Sequence, residues 1–285
     1  MITFFIMAFA TSLPNFFVDF NAVFRKLPEI ALGDIIGGNL VDLTLILALS
    51  TFFTRKGLSA KSEMVQKSAF FTSVIAVLPL ILMLDSKISR IDGVILIFAF
   101  CFYSWWIFSE KSRFTKIYDG SEQTKIVDFK NFLINLLKII TLLLLLLIAS
   151  FAVVNSAQFF SHKFGASLSL VAIILVGLGN SFPETYFSII SARKEKNWMV
   201  LGNLMGSVII CTTLVLGSIA LVSPFEIKDL SPFLIARTFL IIAALFSLLL
   251  IRSGRKLTKK EGLILLFIYI LFLLVEIFIS SLTTL

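Results

Sequence analysis

The stretch VGLGNSFPETYF, Val176 to Phe187, decides how the rest of the chain is read. It continues an apolar run and then sets Asn180, Ser181, Pro183 and Glu184 close together. Proline inside a helix removes one backbone hydrogen bond and kinks the helix, here freeing the carbonyl of Gly179. A carboxylate beside such a break is expensive in an apolar medium unless a partner compensates it. Irregular backbone at membrane depth is tolerated only where it is buried or lines a cavity, and there its carbonyls can bind cations. A structural reading is also open: a membrane Glu can pair with a neighbour or stay protonated.

The surroundings fit a membrane setting. The chain has 285 residues, 58% of them hydrophobic, with 31 Phe that suit lipid-facing surface. The mean hydropathy is +1.02, well outside the range of soluble globular domains. Apolar runs of about 20 residues recur and read as transmembrane helices. The net charge of +8 would fit a nucleic-acid binder, but the Lys and Arg residues fall mainly in short loops between apolar runs. No nucleic-acid partner is therefore expected. Cys101 and Cys211 both sit in apolar runs and suggest no disulfide framework, and the lone His162 offers no metal constellation. The opening MITFFIMAFATS carries an A-x-A-like Ala8-Phe9-Ala10 but lacks the basic start of a signal peptide.

Nine spans are expected, at 1–24, 28–53, 67–85, 91–109, 132–158, 167–191, 198–222, 232–251 and 262–281. The hydrophilic stretch 110–131 is expected as a solvated linker dividing four spans from five. Alternate loops hold seventeen and six Lys and Arg residues. The positive-inside rule then puts Met1 in the cytoplasm and the C-terminus outside.

An internal repeat runs through the chain. TSLPN from Thr11 and NSFPE from Asn180 align Pro14 with Pro183, an offset of 169 in the numbering. LGDIIGG, Leu32 to Gly38, matches LGNLMGS, Leu201 to Ser207, at the same offset. IDGVILI and KEGLILL align Gly93 with Gly262, in the same register again. Three matches in one register indicate a duplication. Five spans in the second copy force opposite orientations, as in the inverted repeats of many secondary transporters. The fold expected is all-α and polytopic: two inverted-topology repeats of five helices, the first helix of repeat 1 missing. The repeats are 1–109 and 132–285. The counterpart of span 132–158 would precede Met1, which points to a late-placed start or a truncation.

Gly33/Gly37 and Gly202/Gly206 form small-xxx-small pairs that permit close helix approach. Asp42, by contrast, lies well inside an apolar run, where Cys211 is its counterpart, and reads as the second carboxylate of the centre.

These residues carry a resemblance. ATSLPN…LGDIIGGNLVD and GNSFPE…LGNLMGS resemble the two alpha-repeats of the calcium/cation antiporter superfamily, which includes the sodium/calcium exchangers. The resemblance covers the whole chain through its repeat layout, and the doubled motif is far more specific than either half. It implies a ten-helix family whose four-helix core binds sodium and calcium and exchanges them by alternating access, with the first helix of each repeat sliding across that core. It implies ligands at Thr11, Ser12, Asn15, Asp42, Asn180, Ser181, Glu184 and Ser207, with the backbone carbonyls of Ala8 and Gly177. The transported ions would be Ca2+ and Na+, with H+ as an alternative, and no cofactor is implied. The protein would be a monomeric, integral, multi-pass protein of a prokaryotic plasma membrane, and not an enzyme.

The departures from the family pattern matter. Asn15 stands where a Glu is usual, Gly38 where a Ser is, Asp42 where an Asn is, and Cys211 where an Asp or Asn is. Cys211 is a poor ligand for hard cations and reads as packing. Asp19, four residues beyond Asn15 on the same helix face, either returns the missing charge about 5–6 Å away or sits hydrated near the outer mouth. Asp34 takes a usual Asn position and reads as a group behind the ligands. Three functions follow: sodium/calcium exchange, an antiporter changed toward protons or another divalent ion, or a degenerate membrane protein that does not transport. Nothing in the sequence resembles a channel filter, a phosphate loop or a nucleophile–base pair.

Overall fold

The structure is a computed structural model that describes residues 2–109, 129–227 and 230–283. Its helices are α1 (Ile2–Thr11), α2 (Leu13–Phe24), α3 (Pro28–Phe53), α4 (Glu63–Asp85), α5 (Arg90–Ser109), α6 (Phe129–Phe164), α7 (Leu168–Asn180), α8 (Phe182–Arg193), α9 (Asn197–Val222), α10 (Ser231–Ser253) and α11 (Lys259–Thr283). The protein is an all-α polytopic membrane protein. Seven of these helices are long and apolar enough to cross a bilayer, and α7 with α8 makes an eighth crossing if the bent pair is one span. The expected linker 110–131 lies outside the described residues except at 129–131. Those three residues already belong to α6, which starts before the expected boundary at 132 because no proline or glycine interrupts it there.

Elementary chemistry explains the breaks. Pro14 and Pro183 enter the first turns of α2 and α8, where a missing N–H costs nothing. The helices are therefore interrupted at Ser12 and Ser181, and α7 and α8 meet at 41°. Each break is a one-residue kink: the Ser12 N–H still bonds the Ala8 carbonyl, and the Phe16 and Thr185 N–H groups bond the Ser12 and Ser181 carbonyls. The breaks stand at equivalent positions of the repeat, and other local features keep the same register. Lys26 and Glu195 both take left-handed backbone angles after α2 and α8, as do Ser86 and Arg255. Ser89 with Asp92, and Thr258 with Glu261, form reciprocal capping boxes that start α5 and α11.

α3 and α9 occupy the middle: 83% and 78% of their most apolar windows are buried, against 11% for α6. Each contains a π-helical turn, Asp42–Ile46 in α3 and Ile210–Val215 in α9. Within these turns the hydroxyls of Thr44 and Thr213 donate to the carbonyls of Leu40 and Ile209, four residues earlier. Such turns leave carbonyls poorly paired, and a threonine hydroxyl supplies the missing donor.

α3 crosses α7 backbone to backbone. A methyl added at Gly33 would lie 2.5 Å from the Ala172 Cβ, and one at Gly37 would overlap the Ile173 carbonyl. From the other side, one at Gly177 would lie 2.7 Å from the Gly38 nitrogen. α9 packs on α1 in the related way, α2 on α3, α8 on α9, and α4 on α10. Short strand pairs tie the loops. Leu58–Ser59 runs antiparallel to Lys256–Leu257, and Lys87–Ile88 to Phe225–Glu226.

Candidate cation site

The two breaks and the two central helices meet in the protein interior. At each break a serine turns back on its own helix: Ser12 Oγ donates to the Ala8 carbonyl at 2.8 Å, and Ser181 Oγ to the Gly177 carbonyl at 2.9 Å. The carbonyls expected as backbone ligands are thus held by hydroxyls of the residues expected beside them. The Thr11 hydroxyl also lies 3.2 Å from the Ala8 carbonyl.

The residues before each break reach across to the central helix of the other half. Asn180 Nδ2 donates to Asp34 Oδ2 at 2.6 Å, while Thr11 Oγ1 lies 3.4 Å from Asn203 Oδ1. Thr11 and Asn180 are counterparts in the repeat, as are Asp34 and Asn203, so these are the same cross-link made twice. The serines follow the rule. Ser12 Oγ is 3.3 Å from Ser207 Oγ on α9, and Ser181 Oγ would lie 3.6 Å from a Cβ at Gly38 on α3.

Glu184 and Asp42 converge on Ser207. The Ser207 hydroxyl donates to Glu184 Oε1 at 3.0 Å, and the Asp42 carboxyl is a close neighbour of both. Both carboxylates are buried, 1% and 3% exposed, yet among the described residues Glu184 Oε2 and Asp42 Oδ1 receive no donor. The Asn15 amide oxygen, also buried, has no partner there either. Buried acceptors left without donors are costly, and an oxygen-rich group of them is what a hard cation requires.

Of the sequence-predicted residues, hydrogen bonds join Thr11, Ser12, Glu184 and Ser207 into one group with the Ala8 carbonyl, Asp42 is buried beside it, and Asn180 binds Asp34. Asn15 and Ser181 both face Gly38, since a Cβ there would lie 3.9 Å from Asn15 Nδ2. Cys211 is buried without a disulfide and neighbours Ser12 and Glu184. Asp19 is not hydrated near a mouth: it is fully buried, because α3 covers the face of α2 that carries it. Asn203 and Ser188, both buried, escaped sequence reasoning. Their signal was available, since they are the repeat counterparts of Asp34 and Asp19. Asn39 Nδ2 donates to Thr212 Oγ1 at 2.7 Å where α3 crosses α9 and was likewise missed. Among the described residues no three His, Cys, Asp or Glu side chains form a metal-holding group, so any cation here relies on amide, hydroxyl and carbonyl oxygens beside the carboxylates.

Known proteins repeat this architecture. The chain is 24% identical over 266 residues to inner membrane protein YrbG of Escherichia coli K12, covering 91% of this chain and 81% of that protein. It is 30% identical over 126 residues to sodium/calcium exchanger MaX1 of Methanosarcina acetivorans, covering 44% of this chain and 36% of MaX1. A structure of the sodium-calcium exchanger NCX_Mj, soaked with Na+ and Sr2+, superposes with a TM-score of 0.65 at 24% identity, over 93% of this chain and 83% of that one. That likeness establishes the fold. The sequence model of the sodium/calcium exchanger protein family matches residues 1–109 and 134–278. With nearly the whole sequence so matched, the chain belongs to the sodium/calcium exchanger protein family, a family of membrane antiporters and not of enzymes.

Proposed function

We propose that this antiporter exchanges calcium for sodium, by alternating access at a mid-membrane centre built on Glu184 and Asp42. One observation carries the reading: two buried carboxylates from opposite halves of the chain, Glu184 on the Ser207 hydroxyl and Asp42 beside it, each keep an oxygen that no described residue satisfies. Two negative charges neutralise one divalent cation, and near-neutral occupied sites are favoured where water is excluded. One Ca2+, or Na+ ions or H+ in its place, are then mutually exclusive occupants, which is the requirement for exchange. Thr11, Ser12, Asn15, Asn180, Ser181 and Ser207 would supply neutral oxygens. The carbonyls of Ala8 and Gly177 would join when the serine hydroxyls rotate away. No cofactor takes part.

In this reading residues 1–109 and 132–285 are the two inverted repeats, nine crossings in all, and Met1 is cytoplasmic. A prokaryotic plasma membrane and a monomer complete it. The shared register of breaks, capping boxes and π-helical turns supports the repeat, and the Lys and Arg distribution supports the orientation.

The test is calcium uptake into proteoliposomes driven by an outward sodium gradient, with a proton gradient in parallel and Glu184→Gln as control. Sodium-driven uptake that falls at least about a hundredfold in the variant supports the proposal. Uptake with protons alone transfers it to proton-coupled antiport. No flux under either gradient, in folded protein, refutes exchange.

A further inference from the structure

One buried carboxyl pair lies beside the centre described above and is not among its ligands. Asp19 on α2 and Asp34 on α3 are both fully buried and are neighbours where the two helices pack together. Among the described residues neither Asp19 oxygen receives a donor, and Asp34 Oδ1 receives none. The donor that the group does have is Asn180 Nδ2, which fixes the other Asp34 oxygen. The antiparallel crossing of α2 and α3 explains the meeting: Asn15 lies beside Gly38, and one turn along each helix Asp19 lies beside Asp34. Asn15 offers one more oxygen, shared with the centre above. Its Oδ1 is buried and unpartnered among the described residues, on the α2 face that carries Asp19.

We propose that Asp19 and Asp34, with the Asn15 amide oxygen, form a second binding position for a hard divalent cation, one helical turn along α2 from the Glu184–Asp42 centre. The proposal builds on the reading of that centre as a cation site but does not require transport. Acceptors that face only one another repel unless positive charge lies between them. Two carboxylates balance a divalent ion, and carboxylate and amide oxygens are its preferred ligands. The other half of the chain shows what the fold does without this position. Ser188 and Asn203 are the repeat counterparts of Asp19 and Asp34, both neutral and both buried.

That equivalence supplies the variant. Asp19→Ser with Asp34→Asn installs residues the fold already accommodates at related positions; Asp19→Asn alone serves if the pair misfolds. Equilibrium binding of radioactive calcium to the purified full chain in detergent, sodium-free, counts the ions. Two calcium ions per chain are expected for the wild type, one for the Asp19/Asp34 variant and one for Glu184→Gln. One ion in the wild type, lost with Glu184→Gln and unchanged in the Asp19/Asp34 variant, overturns this proposal and leaves the first site standing. One ion lost only in the Asp19/Asp34 variant supports this proposal and refutes the first site. No binding by folded wild type overturns both. Infrared spectra provide a second check. A protonated-carboxyl band that persists at saturating calcium and vanishes in Asp19→Asn means that the pair holds a proton, and it too overturns the proposal.

Discussion

Two adjacent glycines give the sharpest test of how the halves are joined. Gly37→Ala and Gly38→Ala each add one methyl to α3, and each replaces glycine by a better helix former, a gain of about 0.8–1.0 kcal/mol in a helix interior. Their surroundings differ. At residue 38 the new carbon would lie 3.6 Å from Ser181 Oγ and 3.8 Å from the Gly177 carbonyl oxygen, ordinary contacts. At residue 37 it would overlap the Ile173 carbonyl, 2.8 Å from its carbon and 3.0 Å from the Ile173 Cα. Those atoms are backbone and cannot rotate aside, so α3 and α7 must part by more than about half an ångström. A gap of that size forfeits roughly a quarter to a half of each dispersion contact along the Gly33–Gly37–Gly177 seam. Overpacking of this kind costs about 1–3 kcal/mol. Gly37→Ala should therefore lose up to about 2 kcal/mol net and Gly38→Ala should gain up to about 1 kcal/mol, a separation of about 1–3 kcal/mol. Equilibrium unfolding by SDS in mixed micelles, followed by far-ultraviolet circular dichroism, measures both. Equal stabilities, or a Gly38→Ala variant weaker than Gly37→Ala, would refute the close crossing of α3 and α7.

Three further outcomes follow from the same geometry. Ser207→Ala removes the hydroxyl shared by Ser12 and Glu184, and calcium binding should weaken about tenfold while the fold survives, as isothermal calorimetry would report. Thr213→Val leaves the buried Ile209 carbonyl in the α9 π-helical turn without its hydroxyl donor, and the same SDS titration should show a loss of about 1–3 kcal/mol. Arg25→Ala breaks a 2.5 Å hydrogen bond to Asn155 and a cation–π contact 5.4 Å from the Phe151 ring. These join α2 to α6 at an exposed place, so the change in stability should stay below about 1 kcal/mol.

Much of this was legible in the sequence, for identifiable reasons. A proline beside polar residues breaks a helix wherever it falls, so Pro14 and Pro183 located both interruptions. Small residues four apart announce close packing, and Gly33 and Gly37 do touch α7. What the sequence could not give was the partner across a gap. Asp34 reads as a substituted asparagine; that it accepts from Asn180 depends on which helix face meets which break. Asp19 could be placed on a face of α2 but not in depth, because depth is decided by α3 lying over it. The π-helical turns were hidden for a similar reason. Thr44 and Thr213 are ordinary membrane threonines until their hydroxyls are seen on the carbonyls four residues back.

Around the centre, buried charge is divided between the halves. At four pairs of repeat-related positions, one residue is a carboxylate and its counterpart is neutral: Asn15 and Glu184, Asp19 and Ser188, Asp34 and Asn203, Asp42 and Cys211. A strict duplicate would carry a carboxylate at both members of each pair or at neither. Charging both members throughout would crowd negative groups that repel far beyond what a few cations could offset, since buried ions cost several kcal/mol each even after relaxation, on the order of the whole margin of stability. Charging neither would leave nothing to hold a cation. Splitting each pair keeps four carboxylates, three from the first half and one from the second, and so gives the two halves different work. The half that carries Asn15 holds the acidic pair one turn further along α2, while the half that carries Glu184 contributes the Ser207 hydroxyl against which Asp42 packs. A symmetric fold thereby holds an asymmetric set of oxygens, and the direction in which a cation moves through it need not be equivalent to the reverse.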